Sequence, residues 1–270
     1  MSGSNRSSGR EGTDFESVRG QISNLSPSEL ANRVKAGDPR AVSRLITLLE
    51  SQEPVGQAAL ERLNGFQRRA GVIGITGYPG AGKSTLIDQL VTAYRRQGKK
   101  VGIVAVDMTS PRTGGALLGD RIRMQDHAGD SGVFIRSMAT RGERGGLAPA
   151  TRGAVRVLEA AGYDVILVET VGVGQLETDV ADVAPTVVAV VAPGLGDEIQ
   201  AMKAGLLETA HIVVVNKGDR DGADTTVKDL QEWHPKVVRT MALKGVGIPE
   251  LIEAIAEHQR LADLQGNTAR

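Results

Sequence analysis

Hydrophobic residues after residue 70 come in short runs separated by amphipathic stretches. Seven runs have the length of a β-strand: Val72–Thr76, Val101–Asp107, Val133–Arg136, Val165–Thr170, Val187–Val191, Ile212–Asn216 and Val237–Thr240. Helical spacing of apolar residues falls between them, at Lys83–Gln97, Gly145–Ala161, Asp197–Thr209 and Pro249–Leu261. Alternating strands and helices predict an α/β fold, a mostly parallel sheet with helices on both faces. In such sheets ligands bind beyond the carboxyl ends of the strands.

The chain before residue 71 shows helical spacing only. Ser26 and Glu29 fit a capping box with Pro27 at the first helical position, and Asp38 starts a second helical pattern. A third covers residues 55–69. We therefore predict a helical segment at 25–70 that packs against an edge or flank of the sheet, ahead of a main domain at 71–262. Residues 1–24, rich in Ser, Gly and Arg, and residues 263–270 are predicted to be flexible.

Composition narrows the class of protein. Aromatic residues make up 3% of the chain, so the core must rest on aliphatic side chains. Lys plus Arg equals Asp plus Glu at 32 each, which implies neither a nucleic acid nor a membrane partner. The absence of cysteine excludes disulfides and thiolate metal sites and suits the cytoplasm. No apolar run could span a membrane or act as a secretion signal. Four histidines, scattered without ligand spacing, indicate ordinary structural roles: His127, His211, His234 and His258.

A glycine-rich segment carries the clearest chemistry. Residues 77–85 read GYPGAGKST, directly between a predicted strand and a predicted helix. This is the phosphate-loop pattern, in which glycines let backbone N–H groups curl around phosphates at a helix N-terminus. Lys83 would reach the terminal phosphates, and the Ser84 hydroxyl would hold magnesium. A chance glycine-rich turn is the alternative, and the strand and helix on either side count against it. The candidate binding residues are Gly80, Ala81, Gly82, Lys83, Ser84 and Thr85.

A second motif, NKGD at residues 216–219, follows the sixth predicted strand. A carboxylate at Asp219 could accept hydrogen bonds from both N1–H and the exocyclic amine of guanine, whereas adenine offers no such pair of donors. An ordinary polar turn is the alternative reading of this short motif. After a phosphate loop, it predicts binding of GTP and GDP through Asn216, Lys217 and Asp219. The stretch TMALKG at 240–245 could lend backbone N–H groups to the guanine oxygen, which adds Ala242 and Leu243.

Acidic residues at predicted strand ends could support Mg²⁺. Asp107 ends the second strand, Glu169 lies at the end of the fourth, and Asp120 falls in a loop after the second. Magnesium prefers oxygen ligands and keeps several waters, so Ser84, a phosphate and one or two carboxylates would suffice. Helix caps or solvated charges are the alternative for each acid. The predicted metal residues are therefore Ser84, Asp107, Asp120 and Glu169, and the predicted catalytic residues are Lys83 and these three acids.

Residues 169–172, ETVG, stand where many GTPases have an Asp-x-x-Gly switch. Val173 follows, in place of the glutamine that orients the attacking water in Ras-like enzymes, although Gln175 is close in sequence. We therefore predict slow intrinsic hydrolysis. Arg121 and Arg123 could neutralise developing phosphate charge, and solvated or ion-paired arginines are an equally open reading. Arg123 is included among the candidate binding residues.

Several of these stretches together resemble one family, the methylmalonyl-CoA mutase-associated GTPases, also called MeaB or ArgK. The resemblance covers about residues 26–259. Two of its blocks are not general GTPase motifs, namely VDMTSPRTGGALLGDRIRM at 106–124 and ETVGVGQ at 169–175. The other stretches are GYPGAGKST, FIRS at 134–137, RGERGGL at 141–147 and NKGD.

What the resemblance implies is a GTP-dependent chaperone of an adenosylcobalamin-dependent acyl-CoA mutase, which gates cofactor loading and protects or reactivates the mutase. It also implies phosphate and magnesium roles for Lys83, Ser84, Asp107, Asp120 and Glu169, and a switch that senses the client at residues 193–203. Relatives often carry a C-terminal arm used for dimerisation. This chain is shorter there, so a homodimer stays an open expectation.

The sequence departs from the family pattern at two positions. Met108 stands where the family commonly has Pro, and NKGD stands in place of NKAD, changes that keep the polar groups.

A nickel-insertion GTPase would share the architecture, but it needs Cys or His ligands for its cargo. A kinase linked to amino-acid transport, an older label for this family, would require ATP, against which NKGD argues.

Overall fold

The computed structural model describes residues 25–65, 70–107, 127, 129–139, 150–170, 179–194 and 206–268. Within these ranges seven strands form one sheet in the order β3-β2-β4-β1-β5-β6-β7, and every pairing is parallel. The α/β prediction is therefore confirmed. The strands are β1 Gly71–Thr76, β2 Val101–Asp107, β3 Val133–Ala139, β4 Val165–Glu169, β5 Thr186–Val191, β6 Ile212–Val215 and β7 Val237–Arg239.

The strand bounds match the prediction to within one residue, except in β3. That strand continues three residues past Arg136 because its pairing with β2 runs on to Asp107 opposite Ala139. A polar residue in the sequence, Ser137, hides this continuation. The strands therefore extend to the carboxyl edge where the candidate residues were expected.

Helices cover both faces of the sheet. They are α1 Pro27–Lys35, α2 Pro39–Glu50, α3 Pro54–Glu61, α4 Lys83–Arg96, α5 Thr151–Ala160, α6 Leu206–Thr209, α7 Ala223–Gln231 and α8 Ile248–Thr268, with 3₁₀ turns at Asp179–Asp182 and Ala242–Lys244. Helix α7 was not predicted, and α8 continues into the segment 263–270 that was expected to be flexible. No helix among the described residues is long and apolar enough to cross a bilayer.

Aliphatic side chains fill the two layers beside the sheet. On one face, α4 and α8 bury residues such as Leu86 and Leu251 against Ile73 of β1. On the other, α5 and the N-terminal helices pack against β2 and β4, with Leu158 and Ile166 fully buried. In the strand order β1 lies at the centre of the sheet, so the phosphate-loop sequence begins from the central strand.

The N-terminal helices pack on the sheet flank where we expected them. The capping box at the start of α1 is confirmed: Glu29 N–H donates to the Ser26 hydroxyl, and Ser26 N–H donates to the Glu29 carboxylate at 2.9 Å. Helix α2 contacts α5 and the edge strand β3. Arg136 of β3 pairs with Glu50 of α2 in a largely buried ion pair. Removal of either partner would leave the other charge shielded from water and unpaired, which is strongly destabilising.

Two of the histidines come together at the amino-terminal edge of the sheet, opposite the candidate site. The rings of His211 and His258 lie 4.1 Å apart, beside the start of β5. Burial lowers the pKa of both imidazoles. Among the described residues, no group of three His, Cys, Asp or Glu side chains could hold a metal ion. His211 and His258 lie close together because of the chain topology, which their spacing in the sequence does not indicate.

Candidate functional site

The phosphate-loop segment lies between the carboxyl end of β1 and the start of α4. Gly82, the residue before α4, has a φ of 96°, and a Cβ there would lie 2.4 Å from Asn216 Nδ2. Only glycine fits both this backbone conformation and this close approach. The turn aims the first N–H groups of α4, which have no partner within the helix, towards the space above β1. This is the geometry that a phosphate group requires.

Lys83 lies over the loop that precedes it. The residue is only 8% exposed, and Nζ donates to the carbonyl oxygens of Gly77 at 2.7 Å and Tyr78 at 3.2 Å. Both carbonyls belong to the loop itself, so the ammonium group is held at the phosphate side of α4. A cation there can neutralise charge on terminal phosphates.

Ser84 and Glu169 meet across the sheet edge. The Ser84 hydroxyl donates to Glu169 Oε1 at 3.0 Å, and Glu169 is buried at the carboxyl end of β4, next to β1. A hydroxyl and a carboxylate side by side are the oxygen ligands that Mg²⁺ prefers. These two residues therefore fit a magnesium ion bound together with phosphate oxygens.

Of the other residues predicted to bind the metal or to neutralise phosphate charge, only Asp107 lies within the described part of the chain. Asp107 ends β2, two residues beyond the level at which β2 pairs with Glu169 of β4, so its backbone lies at the same sheet edge. Its side chain is not described. Asp120 and Arg123 lie outside the described residues, as do Arg121 and Gln175. Their roles stay predictions.

Asn216 joins three segments of the site. Its Nδ2 donates to the Ala81 carbonyl at 2.9 Å, while its Oδ1 accepts from the Thr240 hydroxyl at 3.1 Å and from Ala242 N–H at 3.0 Å. The residue is 2% exposed. Buried hydrogen bonds of this kind fix the phosphate loop against the two loops after β6 and β7. The Ala242 N–H, predicted to face guanine, is already used by Asn216.

The remaining NKGD side chains line a small cavity. Lys217, at a φ of 56°, donates from Nζ to the Gly80 carbonyl at 2.5 Å. Asp219 Oδ2 lies 3.1 Å from Lys244 Nζ, and this hydrogen bond lowers the pKa of the Asp219 carboxyl, a group that is ionised at neutral pH in any case. A cavity of about 100 Å³ is lined by Gly82, Thr85, Asn216, Lys217, Asp219, Met241, Ala242, Leu243 and Lys244.

The residues that line the cavity offer one carboxylate and some apolar surface, which are groups that a guanine base could contact. The ionised Asp219 carboxylate can accept two N–H groups, while Leu243, 88% exposed, offers apolar surface at the rim. A larger groove of about 770 Å³ lies beside β7 between α7 and α8. None of the phosphate-loop residues lines that groove, so volume alone does not identify the site. The chemistry favours the smaller cavity together with the phosphate loop.

Sequence reasoning missed two contributors. Thr240 donates its hydroxyl to Asn216, and Arg239 contacts the NKGD turn at the Gly218 carbonyl. Thr240 opens the TMALKG stretch, which could have drawn attention to it. Nothing in the sequence marks Arg239, because its importance depends on a neighbour 21 positions away.

Comparisons with known proteins identify the family of this chain. A family model described as methylmalonyl Co-A mutase-associated GTPase MeaB matches residues 42–270. A Pyrococcus horikoshii protein named as a GTPase is 52% identical over 254 residues, which cover 89% of this chain and 80% of that protein. The GTPase ArgK of Escherichia coli is 36% identical over 263 residues, covering 91% and 80% of the two chains.

Solved structures show the same architecture. A crystal structure of an LAO/AO transport system kinase superimposes with a TM-score of 0.69 at 30% identity, and the match covers 89% of this chain and 77% of that one. Helicobacter pylori HypB in complex with nickel gives a TM-score of 0.54 at 18% identity, covering 80% and 96%. The second likeness concerns the fold alone.

Proposed function

This chain belongs to the methylmalonyl-CoA mutase-associated GTPases and is itself a GTPase, and we propose that it serves as a GTP-dependent chaperone of an adenosylcobalamin-dependent acyl-CoA mutase. In this role it would gate loading of the cofactor and protect or reactivate the mutase. The family description supports the class of client. The observation that carries the proposal within the structure is the Ser84 to Glu169 contact, which joins the phosphate loop to the end of β4.

We assign the chemistry of the site as follows. Backbone N–H groups at the start of α4 and the Lys83 ammonium would bind the phosphates, and Ser84 with Glu169 would hold Mg²⁺. The ion, when bound, supplies positive charge to the transferring phosphoryl group. Asp107 would support the ion directly or through water, and Asp120 and Arg123 complete the proposed set. Asp219 would select the base.

A slow timer suits a chaperone better than a fast enzyme. Val173 follows the ETVG segment where Ras-like GTPases have a water-orienting glutamine, so intrinsic hydrolysis should be slow. Glu169 is fixed by β4 on one side and contacts Ser84 on the other. Any shift of Ser84 on phosphate binding would therefore also move Glu169, the first residue of the ETVG segment. Such a link between terminal phosphate and loop position is how GTPases report their nucleotide state.

The test is to mix the GTP-loaded protein with purified adenosylcobalamin-dependent acyl-CoA mutases and to follow both complex formation and phosphate release. A client mutase should bind the GTP-loaded form and raise turnover by about 10-fold or more, since partners that complete a GTPase site act at this scale or above. The GDP-loaded protein and a mutase that uses no cobalamin are the controls. If no cobalamin mutase binds or changes turnover, the chaperone proposal is wrong, whereas the GTPase assignment stands.

The LAO/AO transport kinase name of one structural neighbour gives a second candidate, phosphorylation of a transport protein. That activity would use ATP, and the Asp219 wall of the cavity is suited to guanine. Incubation with radiolabelled ATP and GTP separates the two. Transfer of label from ATP to a transport protein would favour the kinase, and release of free phosphate from GTP alone favours the GTPase.

A further inference from the structure

The side chain of Arg239, the last residue of β7, lies across the NKGD turn. Its Nε donates to the Gly218 carbonyl oxygen at 3.0 Å, and its Nη2 donates to the same oxygen. In the opposite direction, Gly218 N–H donates to the carbonyl of Thr240 at 2.9 Å. Both polar groups of the Gly218 backbone are therefore held by two consecutive residues at the end of β7.

Glycine at position 218 makes this approach possible. A Cβ there would lie 2.7 Å from both Cγ and Nε of Arg239 and 3.1 Å from the Thr240 carbonyl oxygen. Gly218 is not among the glycines with a left-handed backbone, so its conformation would tolerate a side chain. Space for the guanidinium group, rather than backbone freedom, accounts for the glycine.

The Gly218 carbonyl and the Asp219 N–H belong to one planar peptide unit. When Arg239 fixes that carbonyl, it also fixes the orientation of the Asp219 backbone, from which the carboxylate projects into the base cavity. We propose that Arg239 is a positioning residue for Asp219 and that it sharpens recognition of the guanine exocyclic amine. This inference rests on the proposed role of Asp219 in binding the base.

The other contact of Arg239 contributes little. Its Nη1 lies 2.5 Å from Asp224 Oδ1, but the Asp224 side chain is 81% exposed and that of Arg239 is 44% exposed. Ion pairs this open to water are weak. The contact with Gly218 is more specific, because two N–H groups of the planar guanidinium donate to one carbonyl oxygen. A lysine ammonium cannot reproduce this arrangement of donors. The function of Arg239 therefore lies on its Gly218 side.

The experiment compares GDP with IDP, which lacks the exocyclic amine. Arg239→Ala should weaken GDP binding by about 10-fold, the size of one or two lost charge-assisted hydrogen bonds, and IDP binding by about 2-fold or 3-fold. The ratio of the two dissociation constants should therefore fall, which a general loosening of the fold would not cause. Asp224→Ala is the matched control, since it removes only the exposed ion pair, and should change both constants by less than about 2-fold.

Two further variants keep the test sharp. Gly218→Ala should displace the Arg239 side chain and reproduce the effect of Arg239→Ala, and the double variant should be little worse than either single change, because both remove one interaction. Arg239→Lys should restore thermal stability without restoring the GDP to IDP ratio. Equal losses for GDP and IDP in Arg239→Ala, or no loss at all, would overturn the positioning role.

Failure of the base assignment looks different. If Asp219→Asn leaves the preference for guanine nucleotides unchanged, both the role of Asp219 and the inference for Arg239 are wrong. If Asp219→Asn changes the preference and Arg239→Ala leaves the GDP to IDP ratio at the wild-type value, only the inference for Arg239 fails.

Discussion

Asp219→Asn should lower the affinity for GTP by about 100-fold or more and raise the affinity for XTP, because a base site built for a specific pair of donors rejects ligands that cannot supply it. An asparagine amide offers one acceptor and one donor in place of two acceptors. Xanthine matches this arrangement, since it has a carbonyl where guanine has the exocyclic amine. Equilibrium binding of GTP, XTP and ATP measures the change.

The matched control for this substitution is Asp221→Asn, which changes an exposed carboxylate two residues further along the same turn. It should leave all three affinities as they are. Loss of the Asp219 to Lys244 contact should cost little stability, because both side chains are well exposed. Unchanged selectivity for GTP over ATP in Asp219→Asn would disprove the base assignment.

Lys83→Ala is expected to lower kcat/KM for GTP hydrolysis by about 1,000-fold, since groups that neutralise charge on the transferring phosphoryl group contribute at this scale. The substitution also removes two hydrogen bonds to the Gly77 and Tyr78 carbonyls. The two carbonyl acceptors would stay in the structure without the Lys83 donor, so the free energy of unfolding should fall by about 1–3 kcal/mol. Phosphate release under substrate-limited conditions measures the first effect, and thermal unfolding measures the second.

Lys99→Ala serves as the control for Lys83→Ala because it removes an exposed lysine just after α4 without touching the loop. It should hydrolyse GTP at the wild-type rate. Near-normal turnover in folded Lys83→Ala would exclude Lys83 from the phosphate site and would direct attention to Lys217, whose Nζ contacts Gly80.

The fold was largely predictable because its strands are continuous apolar runs. Buried parallel strands need no alternation, so β5 and β6 stand out from the polar residues around them. Helix α7 escaped prediction for the opposite reason: only Ala223, Thr226 and Leu230 are buried, too few to give a clear helical period. The hydrophobic pattern of the sequence thus predicts an element more clearly when that element buries more apolar side chains.

Contacts between distant residues could not be predicted in the same way. The sequence indicated Asn216 as a nucleotide-binding residue, and only the structure shows that its amide bonds to Ala81, Thr240 and Ala242. Likewise, His211 and His258 meet only because α8 returns to the start of β5 and β6. Such pairs depend on the order of strands in the sheet, which spacing along the chain does not encode.

The three hydrogen bonds of Asn216 have a consequence for how this GTPase distinguishes GDP from GTP. They tie the base side of the site to the phosphate loop, so we expect binding of either nucleotide to require little rearrangement there. Both nucleotides carry the same base and meet the same rigid wall, which gives them similar anchoring. We therefore expect the difference between GDP and GTP to be transmitted on the opposite side of the site, where Ser84 contacts Glu169.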